Sequence, residues 1–456
     1  MLKGKFIITL TIVFFSTALQ AQKDAKFSEE MKQEMANKVK AAAQHAWQGY
    51  KQYAWGADDL KPLSKGPKTW YKKSMLMTPI DAFDTFTLLG LTDEAKEAKE
   101  LILTKLDFNI DNDVQVFEIT IRLLAGLITA YELDGNKKFL DLAQDLGNRL
   151  MPAFNSSTGM PYRYVHLQTG VTRDGINNPA EIGTLMMEFG KLSKITGDKK
   201  YYDAAKKAIM LVYKKRSALD LVGEQIDVET GKWVNSRSHI GAYIDSYYEY
   251  LYKSWLLFGD KDFKTAFDTH NKAIKKHLIS KTNNGWFMHQ VDMNTGKVIG
   301  TTYGALEAFY AGLCAFSGDV ETGRQIQEAN YYMWTKFNIE PEEFDFKADT
   351  ITSAYYILRP ENLESCFYMY RLTGLHKYLW QGKVMVESIL DHCKNDVGFA
   401  SLKNVQTYEK TNSMESFFFG ETLKYAYLIF APESTLDFKK VVLTTEAHPF
   451  KIVKKK

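Results

Sequence analysis

Apolar residues along this chain follow a helical period, in runs all but one of which end at a glycine. The first run closes at Leu88-Leu89-Gly90. Others close at Leu133-Asp134-Gly135, Thr196-Gly197-Asp198, Phe258-Gly259-Asp260, Ser317-Gly318-Asp319 and Thr373-Gly374. A seventh, 422–430, stops at Ala431-Pro432. Glycine just past a helix end takes the left-handed conformation that closes the last turn. After a shorter first interval the stops recur about every 60 residues, room for two helices of roughly 12–18 residues and their loops. The chain therefore reads as seven helical hairpins.

The runs 125–133, 182–195, 247–258 and 367–372 are apolar on most faces. A helix of that kind is surrounded on all sides. These runs predict an inner ring, with more amphipathic partners outside. No polar capping repeat interrupts the series, which favours closure over an open solenoid. The expected fold class is all-α, an (α/α)7 barrel with small β-hairpins or loops at one end. Stretches such as 155–178 and 285–302 are candidates for those hairpins. No linker-like break appears, so residues 22–456 are expected to form a single domain.

Composition narrows the function classes. Hydrophobic residues make up 45% of 456, enough for a large core. The charge is +3, from 58 basic and 55 acidic residues, and demands no nucleic-acid partner. Aromatics reach 14%, which suits a cleft for amphipathic ligands as well as plain helix packing. Residues 1–21 read as a signal peptide: Lys3 and Lys5, an apolar run from Phe6 to Phe15, then Ala18 and Ala21 as cleavage points. The run is too short to span a bilayer, which takes about 20 residues. The expectation is a secreted or periplasmic protein without a membrane anchor. Cys314, Cys366 and Cys393 form no Cys-x-x-Cys motif and read as buried, inert thiols. No Gly-x-Ser-x-Gly elbow, phosphate-binding glycine loop or EF-hand loop occurs.

Counting back from five of the seven helix stops finds an acid. Glu118, Glu181, Asp245, Glu361 and Glu415 each fall near the start of an inner helix. If the inner helices run the same way, these carboxylates converge at one mouth of the barrel. Any one of them alone is an ordinary helix N-terminal acid. Five together repel unless they share protons, bind a cation or hold arginines. Arg122, four residues after Glu118, and Arg359, two before Glu361, are candidates for the last role. Paired carboxyl groups flanking a glycosidic bond are the usual engine of sugar hydrolysis, and a hard cation such as calcium suits an oxygen-rich mouth.

Several stretches resemble glycoside hydrolase family 47, the class I α-1,2-mannosidases. They are Tyr53-Ala54-Trp55-Gly56-Ala57-Asp58-Asp59-Leu60, Thr78-Pro79-Ile80-Asp81-Ala82, Val116-Phe117-Glu118 and Asp245-Ser246-Tyr247-Tyr248-Glu249. Leu358-Arg359-Pro360-Glu361, Met414-Glu415-Ser416-Phe417-Phe418 and Thr445-Glu446-Ala447-His448-Pro449 continue the order. The resemblance implies a calcium-dependent, inverting exo-α-1,2-mannosidase acting on a mannose-containing oligosaccharide. It implies Glu118 as general acid, Glu361 as base, and Asp245 and Glu342 as further catalytic carboxylates. It implies Arg122, Glu181, Arg359, Glu364, Phe417, Glu421 and Glu446 as substrate or metal-water contacts, and Thr445 as the Ca2+ ligand. The stretch 306–313 resembles the ER-degradation branch instead, where the processing enzymes carry a cysteine pair. That departure leaves a second expectation, a glycan-binding protein with weak or no hydrolysis. Tyr243 stands where single-mannose-trimming enzymes of the family carry Arg, and implies cleavage on more than one glycan branch.

Overall fold

The computed structural model describes residues 26–452. The signal-peptide expectation for residues 1–21 lies outside the described residues. Helices with every face covered alternate with helices buried on one stripe. In Met77–Leu89 nearly every residue from Met77 to Phe86 is buried. In the outer helix Lys199–Lys214 only Tyr201, Ala205, Ala208, Ile209 and Val212 are, at helical spacing. The inner ring is made by Met77–Leu89, the run from Val116 to Asp134, the broken run from Pro179 to Thr196, Asp245–Phe258, Phe309–Phe316, Glu361–Thr373 and Leu423–Phe430. The outer helices are Glu29–Tyr53, Thr92–Lys105, Lys137–Leu150, Lys199–Lys214, Lys261–His277, Val320–Phe337 and Lys377–His392. Seven pairs result among the described residues, as the repeat predicted. The ring closes by packing the first outer helix on the last inner one. Thr85 Oγ1 stitches the seam by donating to the Phe419 carbonyl at 2.8 Å.

Five inner helices end at a left-handed glycine: Gly90, Gly135, Gly197, Gly259 and Gly374. The fifth helix instead ends at Ser317, one residue before Gly318. Short antiparallel sheets cluster where the chain enters the inner helices. Asp113–Gln115 pairs with Tyr164–His166, and Ile176–Asn177 with Gln225–Asp227. The expected hairpins in 155–178 and 285–302 are among these. A further hairpin, Val441–Leu443 with Pro449–Lys451, enters the barrel from the opposite end. At its base the Lys451 N–H donates to Glu132, near the end of an inner helix. At its tip the Thr445 N–H donates to Tyr250 Oη at 3.3 Å. Gly126 makes room for it: a Cβ there would lie 2.4 Å from Ile80 and 3.2 Å from His448. The three cysteines are free and buried.

Candidate active site

The N-terminal ends of the inner helices and the hairpin tip enclose a cavity of about 300 Å³. Eight carboxylates line it: Glu118, Glu181, Asp245, Glu249, Glu361, Glu364, Glu421 and Glu446. Two arginines, Arg122 and Arg359, face them, with Phe417, Tyr243 and Thr445. Of the acids found by counting back, Glu415 is misplaced. The seventh inner helix opens as a π-turn at Phe418, so residue 415 lies before it. There Glu415 pairs with Lys68 at 3.2 Å, and Glu421 inside the π-turn reaches the cavity instead. Arg122 also sits in a π-turn, Thr120–Leu124. Such turns re-aim side chains that a regular helix would direct elsewhere.

Backbone strain gathers at the same place. Tyr243, Leu358 and Ala447 have φ of 75°, 66° and 58°. They lie two or three residues before Asp245 and Glu361, and one after Glu446. Left-handed backbone at non-glycine residues costs on the order of 1–3 kcal/mol and persists where the surroundings hold it. The Gly241 carbonyl holds one of these corners, accepting from the Ile244 and Asp245 N–H groups.

The arginines divide the acids into two groups. Arg122 Nε donates to Glu118 at 2.9 Å, while Nη1 bonds Glu446 and lies 3.7 Å from Asp81. Arg359 donates both prongs to Glu342, at 2.6 and 3.1 Å, and lies 3.7 Å from Glu361. Glu342 is therefore not a cavity-lining group: it is buried behind Arg359 and orients it. Glu181 is likewise held, by Arg163 at 2.8 and 2.9 Å and by Asn178, whose own Oδ1 caps the helix. Glu361 is approached by Arg359 only at 3.7 Å. Its Oε2 is buried with no protein hydrogen-bond partner.

Eight acids against Arg122 and Arg359 in the cavity, and Arg163 and Lys253 behind it, leave the site short of positive charge. Burial pushes the Glu361 and Asp245 carboxyls up to about 7, against the opposing pull of Arg359. Burial pushes Glu364 and Glu446 to about 8, where Lys253 and Arg122 pull the other way. Glu421 is pushed well up by burial and by neighbouring Glu446 and Glu361. Groups poised near neutrality in a cleft are what acid–base chemistry requires. Sequence reasoning missed Glu249, which lines the cavity and bonds Lys253. Its spacing of four from Asp245 on one helix was the available signal. Among the described residues no group of three or more His, Cys, Asp or Glu is arranged to hold a metal ion directly. The oxygen donors that remain, Thr445 with carboxylates around it, suit a hard cation that keeps waters in its shell.

This ring of paired helices with an acid-lined axial pocket is the architecture of a sugar-processing barrel. The family description for glycosyl hydrolase family 47 matches residues 42–452, and the chain belongs to that family. ER degradation-enhancing alpha-mannosidase-like protein 2 of Mus musculus is 38% identical, over 90% of this chain and 77% of its own length. Mannosyl-oligosaccharide 1,2-alpha-mannosidase IB of Homo sapiens is 34% identical, over 92% of this chain and 70% of its own. The solved alpha-1,2-mannosidase from Trichoderma reesei superposes with a TM-score of 0.85 at 29% identity, covering 92% of this chain and 99% of that one. The protein is thus a family 47 enzyme with an α-1,2-mannosidase-like fold. No helix among the described residues is long and apolar enough to cross a membrane.

Proposed function

We propose that this pocket removes terminal α-1,2-linked mannose from mannose-containing glycans, with inversion and with calcium. The observation that carries the reading is the Glu361 carboxyl at the wall of the cavity, pushed up to about 7 by burial with Arg359 no nearer than 3.7 Å, in a cavity the size of one sugar ring and its surroundings. An acceptor of that kind can take the proton of an attacking water. Glu118, fixed by Arg122, serves as the acid toward the leaving oxygen, and Asp245 as a further carboxylate at the same centre. Phe417 and the Tyr243 ring offer apolar faces to the sugar. Glu364, Glu421 and Glu446 line the cavity with Thr445, whose oxygens would hold calcium. When bound, the cation would neutralise part of the acid excess and bind sugar hydroxyls. Residues 22–456 serve as one catalytic domain, exported after removal of residues 1–21.

A second reading is a glycan-binding protein with weak or no hydrolysis. The 38% identity to an ER degradation-enhancing relative favours it, as does the stretch 306–313. The test is mannose release from α-1,2-mannobiose after exhaustive chelation and after adding back calcium or magnesium. Calcium should restore turnover better than magnesium, which demands tighter octahedral geometry. Full turnover after chelation would remove calcium from the account. Tight binding without turnover would establish the second reading. With an active protein, digestion of a nine-mannose glycan should trim more than one branch; a stall after one mannose would contradict the role given to Tyr243.

A further inference from the structure

The motif Gly56-Ala57-Asp58-Asp59-Leu60 lies outside the cavity, yet it holds a side chain that reaches a cavity residue. Asp58 accepts from the Trp70 backbone N–H at 3.0 Å and from the Met75 N–H at 2.8 Å. Asp59 is fully buried and accepts the Trp70 indole N–H at 2.5 Å. Backbone and ring of Trp70 are thereby fixed by adjacent carboxylates. The centroid of the ring lies 5.5 Å from the Arg122 guanidinium, and that of Phe417 lies 5.6 Å from it, both within cation–π range. Lys68 joins the two ring-bearing segments. It pairs with Asp59 at 3.2 Å and with Glu415, two residues before Phe417, also at 3.2 Å. Burial and Glu415 push the Asp59 carboxyl up to about 7 against the pull of Lys68 and the indole. A carboxyl kept in so unfavourable a place calls for a role.

We infer that Trp70, oriented by Asp59, is a positioning residue for Arg122 and, through the Arg122–Glu118 hydrogen bond, for Glu118. This deepens the proposed hydrolytic reading and rests on it for its kinetic test. Arg122 has a long side chain with many rotamers. Two rings and three carboxylates confine it to one. Loosening it lets Glu118 drift, and small displacements of a reacting group cost large factors in rate.

The test compares Trp70→Phe, which keeps a ring and removes the N–H, with Trp70→Leu, Asp59→Leu and the Trp70→Phe/Asp59→Leu pair. With α-1,2-mannobiose, Trp70→Phe and Asp59→Leu should each lower kcat about tenfold with KM within about twofold. The pair should be no worse than its worse member, because both changes break one link. Trp70→Leu should be the most impaired. Asp59→Ala, which also lacks an acceptor, replaces Asp59→Leu if the latter fails to fold. Multiplying effects, or unchanged kcat with only a lower Tm, would overturn the inference. A readout independent of turnover separates it from the functional reading: hydrogen exchange of the Arg122 Nε–H in protein labelled with ¹⁵N-arginine. That exchange should quicken at least about tenfold in Trp70→Leu, and equal exchange in the native and variant proteins would overturn the positioning role whether or not the protein hydrolyses mannobiose.

Discussion

Two clusters of buried charge share the barrel axis, and they are built on opposite principles. Behind the cavity, Asp81 and Asp84 meet His448 and Lys424, all fully or almost fully buried. His448 Nδ1 lies 2.9 Å from Asp84, Lys424 lies 3.0 Å from it, and Lys424 also donates to the Ala447 carbonyl at 2.9 Å. Two acids face two bases. Burial alone would raise Asp84, yet Lys424 and His448 hold it below the usual carboxylate range. Burial alone would lower His448, yet Asp84 and Asp81 push it up to about 9. The cluster is balanced and locks the hairpin that carries Thr445 and Glu446 into the barrel. The cavity next to it has eight acids for two lining arginines, with Arg163 and Lys253 behind them, and its Asp245, Glu361, Glu364, Glu421 and Glu446 carboxyls move the other way. Both clusters are buried. Balance marks the one that supports the fold, and imbalance the one left ready for a ligand.

The largest expected effect breaks the imbalanced cluster. Glu361→Gln and Glu118→Gln should each cut turnover by about 10²–10⁴-fold. Neither should lower Tm by much, since glutamine fills the same space without a buried charge. Retained turnover with either change would remove that residue from the chemistry. The balanced cluster should answer in the opposite currency. Lys424→Met leaves Asp84 with one base instead of two and should cost on the order of 3–5 kcal/mol of stability in urea titration. A loss under about 1 kcal/mol would show that the cluster is not what holds the hairpin.

The smallest effect separates the clusters by pH. Glu361 titrates near 7 when folded and near 4.5 when unfolded. The folded chain therefore holds a proton that the unfolded chain has released, and stability falls as pH rises between those values. Asp84 contributes stability above its unfolded value that is lost only as pH falls through its lower folded value. His448 contributes stability that is full below about 6.5 and lost as pH rises through about 9. Glu361 thus adds a falling slope between pH 5 and 6.5, on top of that from raised carboxyls outside the cavity such as Asp59 and Glu307. In chelator, Glu361→Gln should reduce it by up to about 1.4 kcal/mol per pH unit. An unchanged slope would place the proton elsewhere.

Much of this was legible in the chain. Glycine stops and all-round apolar helices announced the inner ring because both follow from local physics. The acids at helix starts were legible wherever a helix begins regularly, as at Glu118, Asp245 and Glu361. The count failed at Glu415, since a π-turn shifts the start of its helix and leaves no mark in the spacing. Glu342 was named among the catalytic carboxylates by resemblance, while its two bonds to Arg359 depend on a strand pairing that no local pattern encodes. Closure of the first helix on the last, and the Asp59–Trp70–Arg122 contact, join residues remote in sequence. Only the folded barrel brings them together.

The most direct measurement follows α-1,2-mannobiose hydrolysis by proton NMR from the first seconds, with calcium present, for the native protein and Glu361→Gln. If Glu361 activates a water opposite the acid Glu118, the native protein releases β-mannose first, mutarotation follows, and Glu361→Gln releases none on that timescale. Initial α-mannose, or β-mannose released equally fast by Glu361→Gln, would contradict the roles assigned to these two carboxylates.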